Sequence, residues 1–367
     1  MAGRSTTQLQ LSAHRFVARR MERALRCGQV TGGPVPGRAA LGLGWLLSMV
    51  MAAGAVVLAV LRPQPVLGDA PIVLDRATGA LYVRIGDTVH PVYNLASARL
   101  ITGAADPRPV DGGAVSRARR GAPLGIPGAP GVLGSALPDS QTWSLCEDST
   151  GTTLIVGADP LSSARLDPQQ AIPVHSESGA LYLLRDGRRV AIDPAGPVLD
   201  SAVPRRVSAL LLNAIPEAPS AAAADPADHR GMGFGVGLAP VTLCAHWRAD
   251  DPGEVTLSSG VPLPAGAAPT VLAQADGPGP ALDGVYLPPG HTAYVRAVDS
   301  SGHAGGTGYL IADSGVRFTV DDDDAARRLG LPAAAAGVPW PMLAGLPAGP
   351  RLSRDHALLG RDMTSGP

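Results

Sequence analysis

The sequence predicts an α+β chain, mainly β, in which one N-terminal transmembrane helix precedes an elongated extracytoplasmic region of β-hairpin/helix repeats around a central, disulfide-stapled β module. Three observations predict this architecture. An uncharged run fills residues 39–61, a strand–turn–strand pattern recurs along the rest of the chain, and two cysteines lie in strand-rich gaps between the repeats.

The run 39–61 has the length of a membrane span. Its 23 residues carry no charge and are bracketed by arginines. At 1.5 Å per residue such a helix is about 34 Å long, which exceeds the roughly 30 Å of a hydrocarbon core. A cleaved signal peptide is the alternative, but its apolar core is typically only ~7–15 residues long. Residues 1–38 carry seven arginines and one acid, so the positive-inside rule places them in the cytoplasm and residues 62–367 outside.

The cytoplasmic arm, residues 1–38, has the periodicity of a basic amphipathic helix. Apolar residues recur at helical spacing while arginines follow another face. We take five apolar residues as candidate partner-docking positions: Leu9, Ala13, Phe16, Val17 and Met21. Binding of the arm to the anionic inner leaflet is an alternative, and a solvated juxtamembrane arm is another.

Composition excludes several kinds of active site. All 30 basic residues are arginines, because the sequence contains no lysine. The chain therefore lacks a Walker A loop and a Schiff-base lysine, both of which require that side chain. A net charge of −1 argues against nucleic-acid binding.

The recurring pattern is an apolar strand, a polar turn ending in glycine, and a second alternating strand, which is typical of a β-hairpin. Glycine supplies the positive φ that such a turn needs. The turn glycines are Gly79, Gly179 and Gly315. An aromatic residue follows each glycine at the same spacing, which indicates the core of a repeat: Tyr82, Tyr182 and Phe318.

A second landmark follows each hairpin, an Ile-Pro or Leu-Pro segment that begins at Ile126, Ile215 or Leu346. The same two landmarks in the same order predict a duplicated unit. The predicted repeats are residues 71–131, 171–220 and 309–352. Residues 221–240 are interpreted as an Ala- and Pro-rich linker, and 353–367 as a tail.

The gaps 132–170 and 241–308 are predicted to form the two parts of the central β module. Each contains one extracytoplasmic cysteine, Cys146 or Cys244. Disulfides persist in that compartment, so we expect the two to pair. A metal site is the alternative because Cys244 and His246 could supply two ligands, but no second Cys/His cluster completes a tetrahedral set.

Two acidic groups are weaker candidates. The four aspartates 321–324 could bind Ca²⁺, although calcium loops space their ligands at alternate positions, so we expect a solvated turn. Glu147 and Asp148 could form an acid pair, but adjacent side chains point in different directions. The sequence thus offers no catalytic or metal-ligating residues, and cofactor-binding residues are not identified from it.

Several motifs, in order along most of the chain, resemble the EccB family of single-span membrane components of the actinobacterial type VII (ESX) secretion system. They begin at Ser5 (Ser-Thr-Thr-Gln-Leu-Gln-Leu-Ser-Ala-His-Arg-Phe), Gly68 (Gly-Asp-Ala-Pro-Ile-Val-Leu-Asp), Asn94 (Asn-Leu-Ala-Ser-Ala-Arg-Leu), Leu212 (Leu-Asn-Ala-Ile-Pro-Glu-Ala-Pro) and Trp340 (Trp-Pro-Met-Leu-Ala-Gly-Leu-Pro).

The resemblance implies a membrane scaffold that supports protein export, self-associates, and binds subunits of the EccC, EccD and EccE types. It also implies ATPase activity with ATP as a ligand, for which the residues offer no motif. A cell-wall-binding module is a further alternative, since small repeated β units often bind polymers.

The chain departs from the family in one respect. Family members usually carry four repeats, with one between the Leu-Asn-Ala-Ile-Pro motif and the second cysteine. Only 24 residues lie there, from Ser220 to Leu243. This chain is therefore expected to lack the third repeat of the family.

Overall fold

The structure is a computed structural model that describes residues 4–27, 37–61, 67–103, 106–157, 164–165, 170–193, 203–218, 230–231, 241–248, 252–258, 260–299 and 303–360.

Strands with a few short helices between them follow two N-terminal helices. The helices are α1 (Arg4–Cys27), α2 (Gly37–Leu61), α3 (Leu95–Thr102), α4 (Gly112–Ser116), α5 (Ala209–Ala214), α6 (Asp323–Leu329), α7 (Trp340–Ala344) and α8 (Arg354–Leu358). The strands are β1 (Ile72–Asp75), β2 (Leu81–Ile85), β3 (Thr88–Val92), β4 (Arg108–Val110), β5 (Arg119–Arg120), β6 (Ser135–Ala136), β7 (Trp143–Glu147), β8 (Thr152–Val156), β9 (Ala164–Arg165), β10 (Gln170–His175), β11 (Leu181–Arg185), β12 (Arg188–Ala191), β13 (Arg205–Arg206), β14 (Arg230–Gly231), β15 (Thr242–Trp247), β16 (Pro252–Ser258), β17 (Thr270–Val271), β18 (Gly284–Tyr286), β19 (His291–Val298), β20 (Ala304–Ala312), β21 (Arg317–Val320) and β22 (Ala336–Pro339).

The chain divides into two compact units, residues 1–66 and 67–367. The first contains α1 and α2. All described side chains of α2, residues 41–57, are exposed. Among the residues that the structure describes, no helix has the length and hydropathy needed to cross a membrane.

The second unit is mixed α+β and mainly β, as predicted. Three of its sheets share one strand order: β4-β1-β2-β3, β13-β10-β11-β12 and β22-β19-β20-β21. In each sheet, the three strands that come first along the chain are antiparallel neighbours. The strand that comes fourth along the chain pairs in parallel with the first. We call these the first, second and last sheets.

The pairing register is also shared. In the first sheet Val73 lies between Tyr82 and Arg108. The equivalent trios are Val174, Tyr182 and Arg205 in the second sheet, and Val295, Tyr309 and Ala336 in the last. Tyr309, rather than Phe318, is therefore the counterpart of Tyr82 and Tyr182.

The sequence analysis treats Phe318 as the equivalent of Tyr82 and Tyr182, and this is wrong because Phe318 lies one hairpin further along its sheet. Gly79 and Gly179 connect the first and second strands of their sheets, whereas Gly315 connects the second and third. The turns are locally alike, because the Gly179 N–H donates to Ser176 O and the Gly315 N–H donates to Ala312 O, at 3.0 and 2.9 Å. A strand–Gly–strand pattern cannot distinguish successive hairpins of one sheet.

Because Gly315 belongs to the second hairpin of the last sheet, that sheet begins earlier in the chain than the predicted boundary at residue 309. Its first strand, β19, begins at His291, and the expected boundary at residue 308 falls inside β20. The central sheet has the order β17-β18-β8-β7-β15-β16-β9, so the gap 241–308 supplies both the central sheet and the beginning of the last one.

Two large cores hold these sheets together. One combines the second, central and last sheets and includes Trp143, Ile172, Leu211, Val295 and Met342. The other combines the first and last sheets and includes Ile72, Leu100, Leu310, Leu329 and Leu352.

The segment expected to be a tail contributes to the second of these cores. It contains α8, capped by the Ser353 hydroxyl, and Ala357 is fully buried. Gly360 then pairs with Leu124 beside the first sheet. Residues 361–367 lie outside the described part of the chain.

Candidate functional site

Cys146 and Cys244 form a disulfide, as the sequence predicts. Cys146 on β7 lies directly opposite Cys244 on β15, and the two sulfurs are 2.07 Å apart. Both residues are fully buried. Because Cys244 is in the disulfide, the metal-site alternative for Cys244 and His246 is wrong.

A buried polar relay lies on the same sheet, and the sequence analysis did not find it. Ser144 Oγ is 2.6 Å from His246 Nδ1, and His246 Nε2 is 2.7 Å from Thr256 Oγ1. A Ser–His contact resembles a nucleophile with its base. Ser144 is only 2% exposed, however, and the three side chains link the neighbouring strands β7, β15 and β16, so we interpret the contact as structural.

Glu147 and Asp148 do not act as a pair. The Glu147 carboxylate is buried and accepts hydrogen bonds from the backbone N–H of Ser208, at 3.1 and 3.0 Å. Asp148 instead accepts from the N–H and hydroxyl of Thr150 in the following turn. Glu147 thereby ties the central sheet to the residue that caps α5.

Arg205 strengthens this junction. Its guanidinium donates to the carbonyl oxygens of Val241 and Glu147, at 2.7 and 2.9 Å. Burial lowers the pKa of Arg205, and the charges of Glu147 and Asp148 oppose that shift. A single side chain of the second sheet thus holds two segments of the central sheet that are distant in sequence.

The aspartates 321–324 begin a helix rather than a solvated turn. Asp322 caps α6 by accepting from Ala325 N–H at 2.7 Å. The other three pair with arginines: Asp321 with Arg351, Asp323 with Arg296, and Asp324 with Arg327 and Arg328. The hydrogen bond from Arg328 lowers the pKa of Asp324. Within the described ranges, no cluster of three or more His, Cys, Asp or Glu residues could hold a metal ion.

The five apolar residues of the arm all lie on α1, whose 24 residues are helical. All five are exposed, and Leu9, Phe16 and Met21 each expose about two thirds of their surface or more. Leu9, Ala13 and Phe16 follow one another at intervals of four and three residues, each close to one helical turn. They therefore lie on one side of the helix.

A cavity of about 220 Å³ lies where the second, central and last sheets meet. Apolar rings form much of its wall: Pro216, Trp247, Pro339, Trp340 and Pro341. Arg188, Asn213 and Asp299 contribute its polar groups. The sequence analysis did not find this cavity, because its lining comes from five separate parts of the chain.

The family model for "Type VII secretion system ESX-1, transport TM domain B" matches residues 3–241 and 236–365. The chain is 31% identical to the ESX-3 secretion system ATPase EccB3 of Mycolicibacterium smegmatis, over 98% of this chain and 91% of that protein. It is 28% identical to the ESX-5 secretion system ATPase EccB5 of Mycobacterium tuberculosis, over 97% of this chain and 94% of that protein.

Two solved structures are similar. One is the EccB3 dimer from the ESX-3 core complex, at 28% identity and a TM-score of 0.61, over 79% of this chain and 100% of that one. The other is a chain of an intact ESX-5 inner membrane complex, at 24% identity and a TM-score of 0.65, over 100% of this chain and 97% of that one. At 24% identity, the similarity to the ESX-5 chain shows a shared fold and no more.

Proposed function

Because this chain belongs to the EccB family of type VII secretion systems, we propose that it is a scaffold subunit of an ESX core complex in the cell membrane. The observation that carries the proposal is the family match along nearly the whole chain, from residue 3 to residue 365. Assembly with EccC-, EccD- and EccE-type subunits and with further copies of itself follows from that membership, and the dimeric structure of EccB3 supports self-association.

We further propose that α2 is the membrane anchor of this scaffold, with residues 39–61 crossing the bilayer once, although no helix among the described residues meets the length and hydropathy of a span. The support is chemical: the run is uncharged, and the large apolar side chains among residues 41–57, including Trp45, are exposed on the helix. The arginine-rich arm then lies in the cytoplasm, and residues 62–367 lie outside.

The arm serves as a docking element for another subunit. Its apolar residues Leu9, Phe16, Val17 and Met21 are exposed on α1, and an exposed apolar stripe on a helix is the usual ligand of a hydrophobic groove. The arginines of the same helix keep it soluble or near anionic lipid until it docks.

The three sheets with one strand order are copies of a single unit. A proline-containing segment lies beside the third strand in each: Leu124 pairs with Val92, Glu217 with Arg189, and Ala348 with Arg317. In the last two, the arginine N–H donates to the proline carbonyl at 2.9 Å. The units then cover residues 71–131, 170–218 and 291–352, with 142–157, 164–165 and 241–287 as the central module.

One copy found in relatives is absent from this chain. The alignment with EccB3 of M. smegmatis extends over 474 positions, whereas this chain has 367 residues. The two parts of the family match meet at residues 236–241, near the place where the sequence analysis expects the missing repeat.

A native gel of detergent-solubilised membranes, probed for this chain, tests the proposal. We expect the chain in a species of several hundred kilodaltons or more that also contains the other core subunits by mass spectrometry. Migration only as a monomer or dimer, with no other subunit present, would refute the scaffold function.

A further inference from the structure

We propose that the cavity between α5, Trp247 and α7 binds an extended, proline-containing peptide segment of a partner protein. The cavity has a fixed aromatic wall, a lining rich in hydrogen-bond donors, and a volume that suits one or two side chains.

The aromatic walls are held in place before any ligand arrives. The Trp247 indole N–H donates to Gly337 O at 2.9 Å. Trp340 has the guanidinium of Arg317 over its ring, 4.7 Å from the centroid, and Arg317 also stacks on Tyr309 at 5.1 Å. Rigid walls reduce the entropy that binding would otherwise cost.

The polar lining favours a ligand that accepts hydrogen bonds. Asn213 Oδ1 already accepts from Arg189 Nη1 at 3.1 Å, which leaves its amide N–H groups to donate. Arg188 offers only donors. Asp299, the acidic member, accepts from the His303 N–H of its own loop at 3.0 Å.

An extended proline-containing segment has the matching chemistry. Proline has no N–H, and a polyproline II backbone leaves its carbonyl oxygens unpaired, so such a segment presents acceptors and apolar rings together. Aromatic-lined grooves are the usual receptors of these segments. A saccharide would instead rely on acceptors for its hydroxyl donors, and in this lining those are Asp299 and Asn213 Oδ1, the latter already bonded to Arg189.

The size of the cavity points to a polymer. At about 220 Å³ it is below the ~300–1,000 Å³ typical of sites for small molecules. It therefore accommodates one or two side chains of a longer ligand, whose remaining residues lie along the surface near Arg188 and the exposed edge of Trp340.

Calorimetric titration of the full-length chain in detergent tests the proposal. The probe is a capped peptide of alternating Pro-Pro and Ala units, compared with a proline-free peptide of equal length. We expect the first to bind and the second not to bind. Trp340→Ala should weaken binding by about tenfold or more, the usual effect of removing an interface tryptophan. Val271→Ala, an exposed residue outside the cavity, should leave binding unchanged.

Arg188→Ala and Asn213→Ala keep the test decisive if Trp340→Ala misfolds by circular dichroism, because both side chains are exposed. Each should weaken binding severalfold. The proposal is overturned if the two peptides bind equally, if these exposed-site variants bind like the parent, or if an N-acetylglucosamine tetramer binds the cavity while the proline peptide does not.

Discussion

Arg99 on α3 donates a hydrogen bond to the carbonyl oxygen of Leu329 at the end of α6, 3.1 Å away and 230 residues further along the chain. The contact is reciprocal, since Arg328 of α6 lies against Gly103, which caps α3, and Arg99 lies against Gly330, which caps α6. Each helix thus places a cation at the C-terminal end of the other, where the helix dipole favours positive charge.

Removing the disulfide should destabilise the second unit, residues 67–367. The double variant Cys146→Ser/Cys244→Ser should lose about 2–5 kcal/mol of unfolding free energy, the usual cost of a native disulfide. Denaturant unfolding measures the loss. Cys27→Ser is the control and should unfold like the parent. An unchanged midpoint in the double variant would mean that the bond contributes nothing to stability.

Low pH should remove the contribution that Asp75 makes to the stability of the folded state. The N–H of Ala77 and the hydroxyl of Thr78 donate to this carboxylate and lower its pKa in the folded state. A depressed pKa adds stability that is present above the unfolded value of about 3.9 and is lost as pH falls through the folded value. The melting temperature of Asp75→Asn should therefore be lower than that of the parent at pH 6, and the two should converge towards pH 2. A constant difference across that range would contradict the assignment.

Charge on the apolar side of α1 should disrupt assembly. Phe16→Glu should remain in the membrane, because α2 is untouched, but leave the large complex and abolish secretion. Arg15→Gln/Arg19→Gln is the matched control on the same helix and should have little effect, since exposed charges contribute about 0–1 kcal/mol each. If Phe16→Glu assembles and secretes normally, the arm does not dock through this stripe.

The proposed cytoplasmic location of Cys27 can be tested by labelling. A membrane-impermeant maleimide should not react with it in intact spheroplasts but should react after permeabilisation. The other two cysteines form the disulfide and are silent in both conditions. Labelling without permeabilisation would reverse the proposed topology.

ATP turnover should be absent from the purified chain. Phosphate release should equal that of a heat-inactivated sample, because the sequence has no lysine to hold a phosphate in a Walker A loop. Turnover above that background, retained through a second purification step, would contradict the scaffold proposal in favour of an enzyme.

Local features of the fold were predictable from sequence, and long-range ones were not. Gly79 and Gly179 mark turns that a short pattern identifies, and the cysteine pairing followed from compartment alone. The counterpart of the first hairpin in the last sheet was missed because the polar–Gly pattern occurs twice there in the sequence, ending at Gly302 between β19 and β20 and at Gly315 between β20 and β21. Arg205 and Trp247 gave no local signal, since their partners lie 36 to 90 residues away.

The shared core of the first and last sheets has a consequence for folding. Ile72 and Leu100 are buried against residues such as Leu310 and Leu352, which are synthesised more than 200 residues later. Contacts of such high sequence separation slow folding and leave apolar surface exposed in intermediates. The first sheet therefore cannot reach its native packing when it emerges, and the newly made chain depends on protection from aggregation until its C-terminal segment arrives.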